Sequence, residues 1–272
     1  MHRWIVRRPT RKVRCLLWSL ALLVVAGGKG WANLVRMPEG PFGGIVRWVT
    51  IDRANPEGLY AVVFGGGVFK STDGGQVWMG IHQGLENPYV FCLLQDPSAP
   101  SVLYVGTDAG VFKTTSRGDR WLPARQGLEE RNIRALTLDP RRPARLFAAT
   151  DAGVFRSDDR GEHWSPAREG LNTLDVRAVA IDPLKPDRLY AATFGGIFTS
   201  LDGGHTWQPT RDQPTDRQVR ALAIDPRRSG TVYAGTTRAG IFRSMDGGAT
   251  WTALNEGLGS TSVLSLVADR SE

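Results

Sequence analysis

Cysteine and histidine are scarce in this chain. Its 272 residues include two cysteines, Cys15 and Cys92, and the first lies in an N-terminal segment that we expect to be removed. Cys92 then remains alone and no internal disulfide can form, so stability has to come from burial. The histidines outside that segment, His82, His163 and His205, lie far apart in or beside turns, which argues against a zinc site. We expect no metal and no other cofactor.

The chain also lacks the short motifs of common nucleotide and hydrolase sites. It contains no Walker loop, no nucleophile elbow and no dinucleotide-binding glycine fingerprint. Its formal net charge is +7, but residues 1–26 hold six Lys or Arg and no acid. Without that segment the net charge is +1. The composition therefore gives no support for nucleic-acid binding.

The first 26 residues have the pattern of an export signal. Basic residues up to position 14 are followed by an apolar stretch at 16–26, which has signal-peptide length and is short for a transmembrane helix. We predict that residues 1–26 form a signal peptide, or an uncleaved membrane anchor at residues 15–26. The protein is then extracytoplasmic, either secreted or periplasmic, and residues 27–272 form a single domain.

Five tryptophans recur at intervals of 43, 43, 43 and 44 residues: Trp78, Trp121, Trp164, Trp207 and Trp251. A repeat of this length indicates one supersecondary unit copied in series. Each copy has four short apolar runs bounded by Gly, Pro and Asp, which predicts four strands. Four antiparallel strands in about 43 residues, without helical spacers, match one blade of a β-propeller.

The turn before each tryptophan carries a motif. Residues 71–78, STDGGQVW, resemble the Asp-box, Ser-x-Asp-x-Gly-x-x-Trp, of the bacterial neuraminidase repeat. Residues 114–121 depart from it, with Thr114 for Ser and Ser116 for Asp. The matching residues are Ser71, Asp73, Gly75, Trp78, Ser157, Asp159, Gly161, Trp164, Ser200, Asp202, Gly204, Trp207, Ser244, Asp246, Gly248 and Trp251.

The resemblance covers roughly residues 31–268 and implies an all-β propeller of four-stranded antiparallel blades. In this family the box braces a hairpin, because its Asp accepts hydrogen bonds inside the turn and its Trp packs beneath. The wider repeat is similar to photosystem II assembly-factor-like, sortilin-type and sialidase or xyloglucanase propellers. The box therefore indicates architecture and supplies no active site.

Two fragments flank the five complete copies. Residues 31–34 resemble a lone fourth strand, and residues 263–269 resemble a lone first strand. Together they would form a reduced sixth blade, without its second and third strands, and we expect a six-bladed ring. The alternatives are a shortened form of a longer propeller and a ring of five blades that closes without the fragments.

One position of the repeat suggests a binding site. The second residue of the first strand is an arginine in four copies: Arg47, Arg134, Arg177 and Arg220. Because first strands line the channel of a propeller, these guanidiniums would surround its mouth, on the face opposite the Asp-boxes, and offer bidentate donors to a carboxylate or phosphate. The alternative is that each arginine pairs with an acid of a neighbouring blade, such as Glu130 or Asp175.

The relatives of such propellers do different work, so the fold leaves the function open. We expect an exported, non-catalytic scaffold that binds a protein or a carbohydrate or other anionic ligand, and that meets a membrane only through an uncleaved N-terminal segment. The alternative is a glycoside hydrolase of the sialidase or xyloglucanase type. That activity needs two carboxyls roughly 5–10 Å apart across a cleft. No pair stands out by spacing, and Tyr89 is the lone tyrosine outside the repeated core register.

Overall fold

The computed structural model of the chain describes residues 17–18, 21–22, 40–41 and 43–268. From residue 45 onward the described residues form five four-stranded antiparallel sheets, which confirms the all-β class and the four-stranded blades expected from the sequence. Within these residues no helix is long and apolar enough to cross a membrane. Most of the predicted export segment, and the predicted lone fourth strand at 31–34, lie outside the described residues.

Twenty-two strands are present in the described part of the chain. Strands β1 (Leu17–Trp18) and β2 (Ala21–Leu22) pair with each other ahead of the blades. Blade 1 contains β3 (Ile45–Ile51), β4 (Leu59–Phe64), β5 (Gly67–Ser71) and β6 (Met79–Gly80). Blade 2 contains β7 (Val90–Gln95), β8 (Leu103–Thr107), β9 (Gly110–Thr114) and β10 (Leu122–Pro123). Blade 3 contains β11 (Ile133–Asp139), β12 (Arg142–Thr150), β13 (Gly153–Ser157) and β14 (Ser165–Pro166). Blade 4 contains β15 (Val176–Ile181), β16 (Leu189–Thr193), β17 (Gly196–Ser200) and β18 (Gln208–Pro209). Blade 5 contains β19 (Val219–Ile224), β20 (Val232–Thr236), β21 (Ile241–Ser244) and β22 (Thr252–Ala253).

The strands of each blade are hydrogen-bonded in sequence order. First strands of successive blades contact one another, so they form the inner layer of the array. Each fourth strand is only two residues long, and both residues are exposed. Such short outer strands offer little free edge to another chain.

The hydrophobic core is divided among the junctions between blades. Four buried clusters lie at the four junctions of consecutive blades within the described residues. At the first junction, Tyr60 and Val62 of blade 1 pack with Leu103, Phe112 and Trp121 of blade 2. The repeated aromatic position of the second strand is fully buried in four blades, as the sequence predicts for core packing: Tyr60, Tyr104, Phe147 and Tyr190.

Each Asp-box is a hydrogen-bonded turn. In blade 1 the Ser71 hydroxyl donates to Asp73 Oδ1 at 2.7 Å and accepts from the Gly75 N–H at 2.9 Å. Asp73 Oδ1 also accepts from the backbone N–H of Gln76 and of Val77, both at 3.0 Å. In the departing copy of blade 2, Thr114 Oγ1 lies 3.1 Å from Ser116 Oγ. Ser116 provides no carboxylate at the box Asp position to accept the backbone N–H groups that follow.

The box tryptophan also joins neighbouring blades, a role that the local turn chemistry did not predict. The indole N–H of Trp164 donates to the carbonyl of Ala124 in the preceding blade at 2.9 Å, and its backbone N–H donates to Gln126 O at 2.8 Å. Trp121 and Trp207 make the same two kinds of bond. The residue after each backbone carbonyl that accepts from a tryptophan backbone N–H is a glycine, because a Cβ at this position would overlap the carbonyl oxygen of that tryptophan. These glycines are Gly84, Gly127 and Gly170.

Buried aspartates close the first turn of the blades. Asp96 is fully buried, and its Oδ1 accepts from the Ser98 N–H at 2.8 Å. Its Oδ2 accepts from Arg160 of the next blade at 3.1 Å. Arg160 has a φ of 63°, and Arg117, at the same box position one blade earlier, has a φ of 59°. Such left-handed backbone is unfavourable for a residue with a Cβ, and the arginine contact compensates for it.

The predicted first strand at 263–269 is not formed in the described residues, which have no strand after Ala253. Val263 does take the place where the next first strand would begin, because it packs against Gly235 and its N–H donates to Thr236 O at 2.9 Å. In the five blades a first strand pairs with the second strand of its own blade. Residues 263–268 have no such partner in the described part of the chain, and five blades are described.

Candidate functional site

All four predicted arginines lie at a β-bulge. The pairing of each first strand with its second strand skips one residue, and the skipped residues are Arg47, Phe91, Arg134, Arg177 and Arg220. A bulge re-aims the side chain of the unpaired residue. The bulges therefore bring one equivalent side chain from each blade to the same face.

That face is opposite the Asp-boxes, since it contains the turns between the second and third strands. Arg134 and Arg220 each contact a residue of that turn in their own blade, Asp151 and Thr237. The turns are braced by threonine: in blade 3, Thr150 Oγ1 donates to Gly153 O at 2.9 Å and accepts from the Ala152 N–H at 3.0 Å. A short, braced turn fixes the residues that meet the arginines.

Two of the arginines are held by carboxylates. Arg134 makes a bidentate contact with Asp151, in which Nε and Nη2 each donate to one carboxylate oxygen at 2.9 Å. Arg177 pairs with Asp175. Asp175 is one of the two acids that the sequence suggested as partners, and it pairs with Arg177, two residues after it in the same blade. Arg134 pairs with an acid of its own blade rather than with one of a neighbouring blade. Glu130 accepts instead from the backbone N–H groups of residues 131 and 132.

Arg47 and Arg220 make no ion pair with an acid of the described residues. Arg220 Nε donates to Thr237 Oγ1 at 3.0 Å. Arg47 lies over two aromatic rings, with its guanidinium carbon 4.5 Å from the Phe64 ring centroid and 5.7 Å from that of Phe91. Their charges remain available to a ligand.

Phenylalanines separate the arginines into two sandwiches. Phe91 lies between Arg47 and Arg134, whose guanidinium carbon is 5.2 Å from the ring centroid. Phe194 lies between Arg177, at 4.3 Å, and Arg220, at 5.8 Å. Contact with an aromatic face stabilises a cation and leaves the N–H groups at the guanidinium edge free to donate.

The arginines are close enough to affect one another. Burial lowers the pKa of Arg47, and the charges of Arg134 and Arg220 lower it further. Arg134 and Arg220 belong to blades 3 and 5, so positive charge from three blades converges on this face. A negatively charged group bound there would relieve that repulsion.

Asp151, the carboxylate that holds Arg134, is poorly suited to act as a catalytic acid. Burial raises the pKa of Asp151, but hydrogen bonds and charge from Arg134, with the charge of Arg177, lower it overall. A glycosidase acid needs the opposite shift. Among the loop acids, Glu129 contacts Arg168 at 3.4 Å, and Asp216 accepts from the backbone N–H of Gln218 at 3.0 Å. No group of three or more potential metal ligands occurs in the described residues.

Sequence reasoning missed Phe91 and Phe194. Phe91 could have been found, since it occupies in blade 2 the repeat position that holds arginine in the other four blades. Phe194 occupies the turn position that holds Asp151 in blade 3 and Thr237 in blade 5. The repeat alignment alone does not reveal that these rings stack on arginines.

Comparisons with known proteins agree with this architecture. The Sortilin-Vps10 family model, described as "Sortilin, neurotensin receptor 3", matches residues 152–269, which is less than half of the chain. No curated protein matches the sequence. Among solved structures, an ancestral GH74 enzyme is 23% identical with a TM-score of 0.67, and the match covers 85% of this chain and 34% of that one.

Two further structures have the same fold. The GH74 xyloglucanase from Xanthomonas campestris is 21% identical with a TM-score of 0.55, over 80% of this chain and 46% of that one. YCF48 bound to D1 peptide is 19% identical with a TM-score of 0.55, over 76% of this chain and 66% of that one. The chain thus spans less than half of the length of the two GH74 enzymes. These likenesses show that the chain has a β-propeller fold, and four of its turns between third and fourth strands are hydrogen-bonded Asp-boxes.

Proposed function

We propose that this propeller is a non-catalytic binding protein that docks an acidic segment of another protein on the face opposite the Asp-boxes. The observation that carries the proposal is the row of four arginines at equivalent bulges, in which Arg47 and Arg220 make no ion pair with an acid of the described residues. Guanidinium groups match carboxylates in both charge and geometry.

Two further observations support a peptide ligand. Positive charge is crowded at Arg47, which an acidic group would relieve. YCF48, a protein of similar fold, holds a D1 peptide in its solved structure. The likeness concerns the fold alone, so the chemistry of the proposed ligand comes from the arginines of this chain.

A binding assay tests the proposal. The probe is a fluorescently labelled peptide of alternating Glu and Gly, with a Lys and Gly peptide as its counterpart, and the readout is anisotropy at low ionic strength. A charge-assisted hydrogen bond contributes about 1.5–3 kcal/mol, so losing one such bond at each arginine, in Arg47→Gln with Arg220→Gln, should weaken binding of the Glu peptide at least about 100-fold.

Arg120→Gln is the matched control for Arg47→Gln and Arg220→Gln taken one at a time, because Arg120 is exposed in the box of blade 2 and each of the three substitutions removes one positive charge. We expect it to leave the dissociation constant within about twofold, as an exposed charge on the other face contributes little. Equal binding by wild type and the double arginine variant would overturn the proposal, as would tighter binding of the Lys peptide.

The glycoside hydrolase alternative has its own test. Fluorogenic sialosides and β-glucans are incubated with wild type, and any turnover is followed into Asp151→Asn and Asp175→Asn. Turnover that either substitution abolishes would replace the binding proposal with catalysis. We expect none, because arginines lower the pKa of Asp151 and pair with Asp175.

We also propose that the protein is exported through residues 1–26, either cleaved or retained as an anchor at residues 15–26. The support is the cluster of basic residues followed by a short apolar stretch. Cell fractionation and the intact mass of the purified protein test this. A full-length protein in the cytoplasm would contradict it.

A further inference from the structure

The arginine face is chemically uneven, although the repeat beneath it is regular. On blades 1 and 2 it carries a cluster of aromatic rings formed by Phe64, Tyr89 and Phe91. The Phe64 centroid lies 5.2 Å from that of Tyr89 and 5.4 Å from that of Phe91. A β-bridge between residues 64 and 89 fixes the two backbones together. We call this group the aromatic cluster.

Tyr89 and Phe64 of the aromatic cluster occupy positions that are polar in blade 3, although blade 4 also has an aromatic residue, Phe194, at the Phe64 position. Tyr89 lies two residues before the bulge, where blade 3 has Asn132 and blade 4 has Asp175. Phe64 occupies the turn position of Asp151. Tyr89 remains 44% exposed, so its ring is available to solvent rather than packed in the core.

On blades 3 and 4 the face carries more polar groups, beside the ring of Phe194. On blade 3, Asn132 Nδ2 donates to Asp151 Oδ2 at 2.6 Å. Asn132 Oδ1, Asp175 Oδ1 and Arg177 Nε are buried and have no hydrogen-bond partner in the described residues. An apolar group placed there would leave these atoms unsatisfied, which is costly.

Arg47 joins the two properties, since it stacks on Phe64 and Phe91 and belongs to the arginine row. A carboxylate bound at the edge of its guanidinium therefore places the neighbouring part of the ligand over the aromatic cluster. We infer that the docked segment is an amphipathic acidic peptide, with an apolar side chain beside its carboxylate that packs on Phe64 and Tyr89. This inference rests on the proposed function and adds which acidic segments are bound and in which direction.

Two labelled peptides of equal charge test the inference: Gly-Glu-Phe-Glu-Gly and Gly-Glu-Ser-Glu-Gly. Wild type should bind the Phe peptide about tenfold more tightly, as expected for partial burial of one aromatic side chain. Tyr89→Ser should remove most of this preference, and Tyr89→Phe should keep it. Leu122→Ser is the matched control, because Leu122 is an exposed apolar residue, at 57%, on an outer strand.

The outcomes separate this inference from the proposed function. The inference is supported if Tyr89→Ser loses the preference for the Phe peptide while Tyr89→Phe and Leu122→Ser keep it, and if Arg47→Gln with Arg220→Gln weakens the binding of both peptides. Equal binding of both peptides by wild type, or an unchanged preference in Tyr89→Ser, overturns it while the arginine site stands. If the arginine substitutions have no effect, both fail. If the protein binds xyloglucan oligosaccharides but neither peptide, and Tyr89→Ser abolishes that binding, the inference is overturned in favour of a sugar-stacking surface.

Discussion

Gly127 is the residue at which one added methyl group should separate two blades. Its φ is +83°, and a Cβ built there would overlap the carbonyl oxygen of Trp164 in the next blade. Two hydrogen bonds depend on this close approach: the Trp164 backbone N–H to Gln126 O at 2.8 Å, and its indole N–H to Ala124 O at 2.9 Å. Gly127→Ala therefore strains the backbone and also opens the junction between blades 2 and 3.

The two costs can be estimated separately. A left-handed alanine is less favourable than glycine by about 1–2 kcal/mol. Each hydrogen bond lost at the junction costs about 1–1.5 kcal/mol. We therefore expect Gly127→Ala to lower the free energy of unfolding by about 3–5 kcal/mol. Gly74→Ala is the matched control, with a φ of +73° and only the flexible end of Glu57 nearby, at 3.1 Å; it should cost about 1–2 kcal/mol.

Urea unfolding followed by tryptophan fluorescence measures both variants. Trp164→Phe serves as a third, since it keeps the glycine and removes only the bonds that the indole N–H donates to Ala124 O and Gly161 O. It should cost about 1 kcal/mol beyond the lost ring area. The reasoning would be refuted by equal losses in Gly127→Ala and Gly74→Ala. In that case the approach of the two blades would contribute nothing beyond backbone strain.

Two other predictions concern the box face. Arg160→Gly should lower the free energy of unfolding by about 1–2 kcal/mol, because the buried Asp96 carboxylate loses its partner and relief of the strained φ offsets part of that loss. Arg117→Gly should be neutral or stabilising, because Arg117 lies 3.7 Å from Asp52, and that carboxylate keeps its hydrogen bonds from Gln95 and Tyr60. Urea unfolding of both variants measures the difference, and equal losses of stability would contradict the prediction. Stability should also fall as the pH drops from about 4 to about 2. Burial raises the pKa of Asp159 and Asp202, but hydrogen bonds within the box lower it overall to about 2. Hydrogen bonds from Thr250 lower the pKa of Asp246 to about 2 as well. Since these pKa values are depressed by folding, the stabilisation is complete above the unfolded pKa and is lost below it. Urea unfolding at pH 5 and pH 3 measures this, and a triple Asp→Asn variant with the same loss would contradict it.

Local patterns were sufficient to predict the blades. The short apolar runs of each copy are strands in the structure, as Val176–Ile181 and Leu189–Thr193 are in β15 and β16. Period, turn residues and apolar runs are properties of short segments, so they can be read without knowing what lies beside them. The fourth strands are shorter than expected, because the chain after each tryptophan turns to meet the next blade.

Contacts between segments were predicted less well. The sequence indicated that the arginines share a position, and the structure places them together on one face. Asp175, which is close in sequence to Arg177, was suggested as a partner and pairs with it. The pairing of Arg134 with Asp151 was not predicted, because a whole strand separates the two residues. Residues 31–34 and 263–269 were expected to form a sixth blade together, but residues 263–268 form no strand in the structure.

The sequence by itself determined the repeat, the four-stranded blade, the box turn and the arginine position, because each depends on residues a few positions apart. Only the tertiary structure decided which arginines are paired, that phenylalanines separate them, and that the box tryptophans join neighbouring blades. These features depend on β-bulges that re-aim one side chain per blade, and on surfaces that meet only when the blades pack.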